Sequence, residues 1–231
     1  MLLNKTKIDS MKSTYFLLPL SLFLCIGCSQ KTFRIIDKPI VWNKERRLLS
    51  IDYLKNRHGI TTDSATINPK IVVLHWTAIP SLEASYDAMN PPTLRNTRKD
   101  LTNASILNVS SHFLIDRDGT IFRQLPDTAF ARHVIGLNYC AIGIENVGSN
   151  KAKLTKAQLK ANEQLIRYLQ KKYPIEYVIG HYEYNDFRKH PLWKETDTTY
   201  RTEKTDPGKR FMKRIRKHIK DLHINAVPIY K

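Results

Sequence analysis

Cysteine is scarce in this sequence, and the motifs of several common binding classes are missing. Only Cys140 of the three cysteines lies beyond position 28, so that part of the chain has no intramolecular disulfide partner unless Cys28 stays free. Zinc-finger spacings, RRM-like aromatic motifs and P-loops are absent, which argues against nucleic-acid binding. What is present, 42% hydrophobic and 26% charged residues, is typical of one folded domain with extensions.

The first 27 residues are predicted to be a signal peptide. Three lysines precede the apolar run "YFLLPLSLFLCIG", which at about 12 residues is a secretory signal, since a membrane span needs roughly 20. The ending "LFLCIGCSQ" resembles a bacterial lipobox with Cys28 as the lipidated residue, although Cys25 stands where leucine is usual. Cleavage without lipidation is the alternative. We therefore expect an exported protein of the cell envelope, anchored to a membrane through Cys28 in the periplasm or at the outer membrane.

Acidic residues are few compared with basic ones. The chain has 38 lysines and arginines against 21 aspartates and glutamates, a formal net charge of +17. Such a balance favours anionic partners. For an exported protein we expect these to be lipid headgroups and cell-wall polymers, and no nucleic acid.

Apolar runs rich in β-branched residues predict three buried strands. These are "KIVVLHW", "CAIGIENVG" and "IEYVIGH". Two further strand patterns surround Asp118-Gly119, which is a strong hairpin signal. Strands that alternate with helices around one hairpin predict an α/β fold with a central mixed β-sheet flanked by helices.

Helices are predicted from capping signals and apolar stripes. The clearest is "LTKAQLKANEQLIRYLQKKYP", where Thr155 is the expected N-cap and Gln158 completes a capping box. A short helix is expected between Ser50 as N-cap and Gly59 as its end, and a last one over "PGKRFMKRIRKHIKDL". Polar residues 78–108 are expected to be a loop with one helical turn.

These patterns divide the chain into four parts. We expect a signal peptide over 1–27, a tether with a short helix over 28–66, the main domain over 67–224 and a tail over 225–231. A polar insertion, 182–203, is expected to form a lid or a wall.

Metal-competent side chains stand at the ends of three apolar elements. Two imidazoles and a carboxylate, His75, His181 and Asp206, match a catalytic zinc site, which keeps three protein ligands and one open position. Ligands on distant strand ends suit the rim of a sheet. Each residue also has a simpler interpretation, because a histidine that ends a strand is often a surface residue. Asp206 before Pro207 is a favoured helix cap.

Two more residues would complete a hydrolytic site. Glu145 lies on a predicted buried strand, where a carboxylate is costly unless it is paired or functional. It could take a proton from the attacking water. Lys204 could stabilise the oxyanion of a tetrahedral intermediate.

Six segments occur in the order seen in one enzyme family. They are "VVLHWTA", "SSHFLIDRDGTIFRQL", "ARHVIGLN", "AIGIENVG", "VIGHYEY" and "KTDPGKRF". Over residues 68–220 the chain resembles zinc-dependent N-acetylmuramoyl-L-alanine amidases of the amidase_2 family, which are related to peptidoglycan recognition proteins. The resemblance implies one Zn²⁺ held by His75, His181 and Asp206 in a groove at the sheet rim. It also implies Glu145 as the residue that activates water and Lys204 as the residue that stabilises the transition state.

The remaining implied roles are less specific. His133 lies in "ARHVIG", which replaces the family's usual "WHAG", and we expect it in the groove wall as a substrate-binding residue. Trp76, next to His75, is expected either to pack on the sugar or peptide of the substrate or to belong to the core. His112 is expected to be buried and hydrogen-bonded. The implied activity is hydrolysis of the bond between N-acetylmuramic acid and L-alanine in peptidoglycan or muropeptides. We also expect the protein to be a monomer. A module that binds peptidoglycan without cutting it is the alternative.

Overall fold

The computed structural model describes residues 33–94 and 99–230. Within these ranges, no helix combines the length and the apolar character needed to cross a bilayer. The predicted signal peptide and Cys28 lie outside the described residues.

Six strands form one sheet in the order β1-β4-β3-β5-β2-β6. The β3–β4 pair is antiparallel and every other neighbouring pair is parallel, which confirms the predicted mixed sheet. The β3–β4 connection is the hairpin predicted at Asp118-Gly119. The strands are β1 (Ile35–Asp37), β2 (Ile71–Trp76), β3 (Phe113–Ile115), β4 (Ile121–Arg123), β5 (Ala141–Asn146) and β6 (Tyr177–Gly180).

Strands β2 and β5 lie in the middle of the sheet and are buried on both faces. This explains why they read as continuous apolar runs and not as alternating ones. Because β2, β5 and β6 are parallel, their carboxyl ends meet at one edge, where His75 is in register with Glu145. The sheet topology thus brings the sequence-predicted histidine and glutamate to the same rim.

Helices and loops cover the two faces of the sheet. The helices are α1 (Lys44–His58), α2 (Leu82–Met89), α3 (Lys99–Thr102), α4 (Lys156–Lys172) and α5 (Lys209–His218). The apolar faces of α4 and α5 pack in one cluster with side chains such as Val72 and Ile144. On the opposite face, Val73 and Ile179 pack against the loops after β4 and β6. The flanked-sheet architecture expected from the sequence is confirmed, as is the capping box of Thr155 and Gln158 on α4.

The segment before β2 is more ordered than the expected tether. It contributes β1 to the sheet edge, and α1 begins at Lys44 with Asn43 as its N-cap. The predicted start at Ser50 is wrong, because its hydroxyl instead donates to the carbonyl of Arg46 within the helix. Gly59 does end α1, in the left-handed conformation expected of a helix stop (φ 64°).

Two other segments also differ from the expectation. Residues 78–108 were expected to be mostly loop, but they contain α2, whose N-cap is Ser81. Asn225, assigned to the tail, pairs with Tyr177 beside β6, so the sheet contacts extend to that position.

Candidate metal centre

His75, His181 and Asp206 converge at the carboxyl rim of the sheet. The Nδ1 atoms of His75 and His181 lie 3.0 Å apart, and Oδ2 of Asp206 lies 3.2 Å from the first and 3.1 Å from the second. All three side chains are buried. The three ligand atoms therefore form a triangle with nearly equal sides. Along the chain, His181 lies 106 positions after His75, and Asp206 lies 131 positions after it.

The triangle is compatible with zinc. Ligands at 2.0–2.1 Å in a tetrahedral arrangement are about 3.3 Å from one another, close to the sides observed. Two imidazole nitrogens and one carboxylate oxygen are also the donor set of catalytic zinc sites, which leave a fourth position open. The residues therefore fit this ion in both chemistry and spacing.

Local structure explains how Asp206 reaches the histidines. The backbone N–H of Tyr182 donates to the Asp206 carbonyl (3.1 Å), which ties this segment to the end of β6. A Cβ at Gly180 would lie 2.9 Å from Met212 and Tyr182 and 3.0 Å from Pro207, so a side chain there would push these groups away. Helix α5 begins at Lys209 after Gly208, with no side-chain cap. The interpretation of Asp206 as the helix cap is wrong, and its carboxylate points into the cluster instead.

The charge states in the cluster suit a cation. Burial lowers the pKa of His181 to about 4, so this imidazole is neutral at pH 7 and has a free lone pair. Burial opposes ionisation of Asp206, but the adjacent His181 and His75 outweigh it and hold the Asp206 pKa well below its ordinary value. The cluster thus offers one negative charge to a bound ion.

His133 contacts the outer nitrogen of His75. Its Nδ1 lies 3.1 Å from His75 Nε2, and its own Nε2 lies 3.1 Å from the carbonyl of Ala141. His133 lines the cavity, as expected, but both of its ring nitrogens have partners inside the protein. The structure brings it to the ligand cluster and gives it no free ring nitrogen for a substrate.

His112 lies behind His133 and is buried and hydrogen-bonded, as expected. Its Nε2–H donates to the carbonyl of Ala129 (2.8 Å), and its Nδ1 accepts the backbone N–H of Gly143 (3.0 Å). Burial lowers the pKa of His112 to about 4, so the ring is neutral. It therefore supports the floor of the site and does not face the cavity.

Glu145 faces the same cavity from β5. Burial raises its pKa to about 7, although the neighbouring His75 works in the opposite direction. Its Oε2 is buried and has no hydrogen-bond partner among the described residues. A carboxyl group whose pKa lies near neutrality can both accept and release a proton.

A cavity of about 280 Å³ opens in front of the cluster. Lys204 and Trp76 line it, together with Glu145 and the three clustered side chains. The structure thus brings every sequence-predicted site residue of the described chain, except for the supporting His112, to one cavity.

The insertion 182–203 forms one wall of this cavity and is tied to the end of α1. Thr196 donates through its backbone N–H to the carbonyl of Arg57 (3.0 Å), and Glu195 pairs with the Arg57 side chain at 2.8 Å. Tyr200, further along the insertion, lines the cavity. These contacts favour a fixed wall over a lid.

Two residues of the site were missed in the sequence. Asn138 accepts the backbone N–H groups of His133 and Val134 through Oδ1, both at 2.8 Å, and so holds the loop that carries His133. The motif "ARHVIGLN" contains it, but a local pattern does not show which backbone groups it caps. Tyr200 was missed because its approach depends on the docking of the insertion on α1.

The fold and the cluster define an α/β domain with a buried His–His–Asp centre at the rim of a mixed sheet. Residues 53–209 match the Amidase_2 family, described as N-acetylmuramoyl-L-alanine amidase. The chain belongs to this family, which confirms the resemblance seen in the sequence. The match begins within α1, before the expected domain boundary at 67.

Individual relatives are more distant. The chain is 30% identical over 83 residues to the endolysin of Enterobacteria phage K11 and 31% identical over 83 residues to that of Klebsiella phage KP32. Each alignment covers 33% of this chain and 55% of the endolysin, so the match spans about half the length of these relatives. The solved structure of the N-acetylmuramoyl-L-alanine amidase LysC from Clostridium intestinale URNW shares the fold. It has a TM-score of 0.51 and 22% identity, over 83% of this chain and 99% of that one.

Proposed function

We propose that this protein hydrolyses the amide bond between the lactyl group of N-acetylmuramic acid and L-alanine, in peptidoglycan or its fragments, with one bound Zn²⁺. The observation that carries the proposal is the convergence of His75, His181 and Asp206 beside Glu145, in a chain of this amidase family. A hydrolase needs such a proton acceptor next to its ligand cluster.

His75 Nδ1, His181 Nδ1 and Asp206 Oδ2 would hold the ion. The bound Zn²⁺ would polarise the scissile carbonyl and lower the pKa of the attacking water.

The other side chains supply proton transfer and charge stabilisation. Glu145 accepts the proton of the attacking water, because this residue lines the cavity beside the ligand cluster and its Oε2 has no hydrogen-bond partner among the described residues. The same carboxyl then donates that proton to the leaving amine of L-alanine. Lys204, on the rim of the cavity, stabilises the oxyanion of the tetrahedral intermediate. Trp76 would pack on the sugar or peptide of the substrate.

Mass spectrometry of digested wall fragments tests the reaction. The purified protein with one equivalent of zinc should release whole stem peptides from the sugar, and metal analysis should find one zinc per chain. Asp206→Asn keeps the side-chain shape but removes the negative charge, so both zinc and turnover should be lost. Tight binding of muropeptides without cleavage by the zinc-loaded protein would instead favour the non-catalytic module.

We also propose that the protein acts outside the cytoplasm as a monomer, anchored through Cys28. The proposal depends on the N-terminal sequence, in which a basic segment and an apolar run precede a lipobox-like "CIGCSQ". Metabolic labelling with an alkyne fatty acid should mark the wild-type protein and not Cys28→Ser. Equal labelling of both would refute the anchor.

A further inference from the structure

The carbonyl of Ala141, His133 and His75 form a chain of hydrogen bonds that ends at the metal cluster. The distances are 3.1 Å from His133 Nε2 to the Ala141 oxygen and 3.1 Å from His133 Nδ1 to His75 Nε2. The rings of His133 and His75 are perpendicular, with centroids 5.2 Å apart.

The direction of these bonds follows from chemistry. A carbonyl can only accept, so His133 Nε2 carries a proton and donates it to Ala141. No described hydrogen bond joins either ring nitrogen of His133 to a carboxylate, so no partner supports a second ring proton and Nδ1 is an acceptor. His75 Nε2 must therefore be the donor to His133. Coordination of a metal through His75 Nδ1 requires the same arrangement, with the ring proton on Nε2 and the Nδ1 lone pair on the side of His181 and Asp206.

The position of His133 is itself built into the fold. Asn138 holds its backbone N–H, and the ring lies directly over Gly143 on β5. A Cβ at position 143 would lie 2.8 Å from the His133 ring, so a side chain there would displace it. His112 fixes Gly143 from behind, by accepting its N–H and donating its own backbone N–H to the Gly143 carbonyl.

We propose that His133 is a positioning residue that fixes the tautomer and the ring orientation of His75, and so prepares Nδ1 for the metal. This inference rests on the proposed zinc site. Metal-bound histidines usually donate their second N–H to a carboxylate, a carbonyl or water. Here the acceptor is a second imidazole, that of His133, whose own orientation is fixed by its hydrogen bond to the carbonyl of Ala141. His133 therefore serves the metal and not the substrate.

The tautomer can be read in the metal-free protein. Long-range ¹H–¹⁵N correlation spectra of the wild type should show His75 with its proton on Nε2, the signal being assigned by its loss in His75→Gln. In His133→Leu, which removes the acceptor, the His75 signal should shift towards a mixture of tautomers. A His75 ring protonated on Nδ1 in the wild type would overturn the inference, whether or not His133→Leu folds.

Zinc affinity gives the second readout, measured by competition with a chromophoric chelator. His133→Leu should weaken zinc binding by about 10- to 100-fold. His133→Asn, whose Oδ1 can accept from His75 Nε2, should recover most of this loss. His58→Leu is the matched control, since it removes a buried imidazole that bonds the carbonyl of Lys194 and packs on Tyr53, and it should leave zinc affinity unchanged.

These experiments distinguish a failure of the proposed zinc-dependent function from a failure of the proposed role of His133. A wild-type protein that fails to bind zinc would refute the proposed function, while the spectra of the metal-free protein would still test the role of His133. Normal zinc binding by the wild type and by His133→Leu, with an unchanged His75 tautomer, would overturn this inference alone.

Discussion

The replacement Glu145→Gln should make the metal-free protein more stable while it removes activity. Burial raises the pKa of Glu145 to about 7 from an ordinary 4.5. The folded state therefore prefers the protonated, neutral form. Glutamine resembles that form at every pH. The wild type should lose stability relative to Glu145→Gln as the pH rises from about 4.5 to about 7, and the difference should stay constant above this range.

The size of the effect follows from the same two values. Each pH unit between them corresponds to about 1.4 kcal/mol, so the full difference above pH 7 is about 3 kcal/mol. Glu145 is only partly buried, so solvent screening lowers this penalty and the figure is an upper value. Below about pH 4.5 the two proteins should have equal free energies of unfolding. For the reaction, loss of the proton acceptor should reduce kcat by about 100-fold or more.

Urea unfolding of metal-free protein between pH 5 and 8 measures the stability difference, and muropeptide hydrolysis with zinc measures kcat. Glu203→Gln is the control, since it removes the same charge from an exposed position and should change neither quantity. A stability difference that does not depend on pH would show that Glu145 is not held in an unfavourable ionised state. Undiminished turnover by Glu145→Gln would remove its assignment as the proton acceptor.

Three further predictions concern the surroundings of the site. Gly143→Ala should push the His133 ring aside, costing about 1–3 kcal/mol in unfolding free energy and weakening zinc binding in chelator competition; unchanged affinity would contradict the contact of 2.8 Å. Burial raises the pKa of Cys140 to about 12, so native protein at pH 8 should resist iodoacetamide at this residue until it is unfolded, as peptide mapping would detect. Glu195→Ala breaks the buried pair with Arg57 and should loosen the cavity wall, raising KM for muropeptide more than it lowers kcat; an unaltered KM would argue against a wall that contacts substrate.

Several features of the fold could be predicted because their causes are local. The apolar run of β2 indicates a strand buried on both faces, and the capping box of Thr155 and Gln158 marks the start of α4 to the residue. The Asp118-Gly119 turn likewise predicts the β3–β4 hairpin. In each case the residues that set the structure are near one another in the sequence.

The missed features have competing or distant causes. Ser50 is a good N-cap, but the helix formers before it let Asn43 start α1 seven positions earlier. Strand β1 gains its hydrogen bonds only from β4, some 86 positions later in the register. The contact of His133 with His75 spans 58 positions. No local pattern can show that its ring nitrogens contact His75 and the carbonyl of Ala141.

Asp206 shows how tertiary structure can redirect a strong local signal. Aspartate before proline is favoured at a helix start, yet α5 begins three residues later, with Gly208 in the cap position and its φ at 92°. A carboxylate used as a cap would accept backbone N–H groups and face along the helix. Because Asp206 does not cap the helix, its Oδ2 instead lies 3.1 Å from Nδ1 of His181 and 3.2 Å from Nδ1 of His75. Since an unpaired buried carboxylate is costly, this placement requires compensation by the histidines, and a bound cation would supply more of it. Zinc binding should therefore stabilise the wild type more than the Asp206→Asn variant.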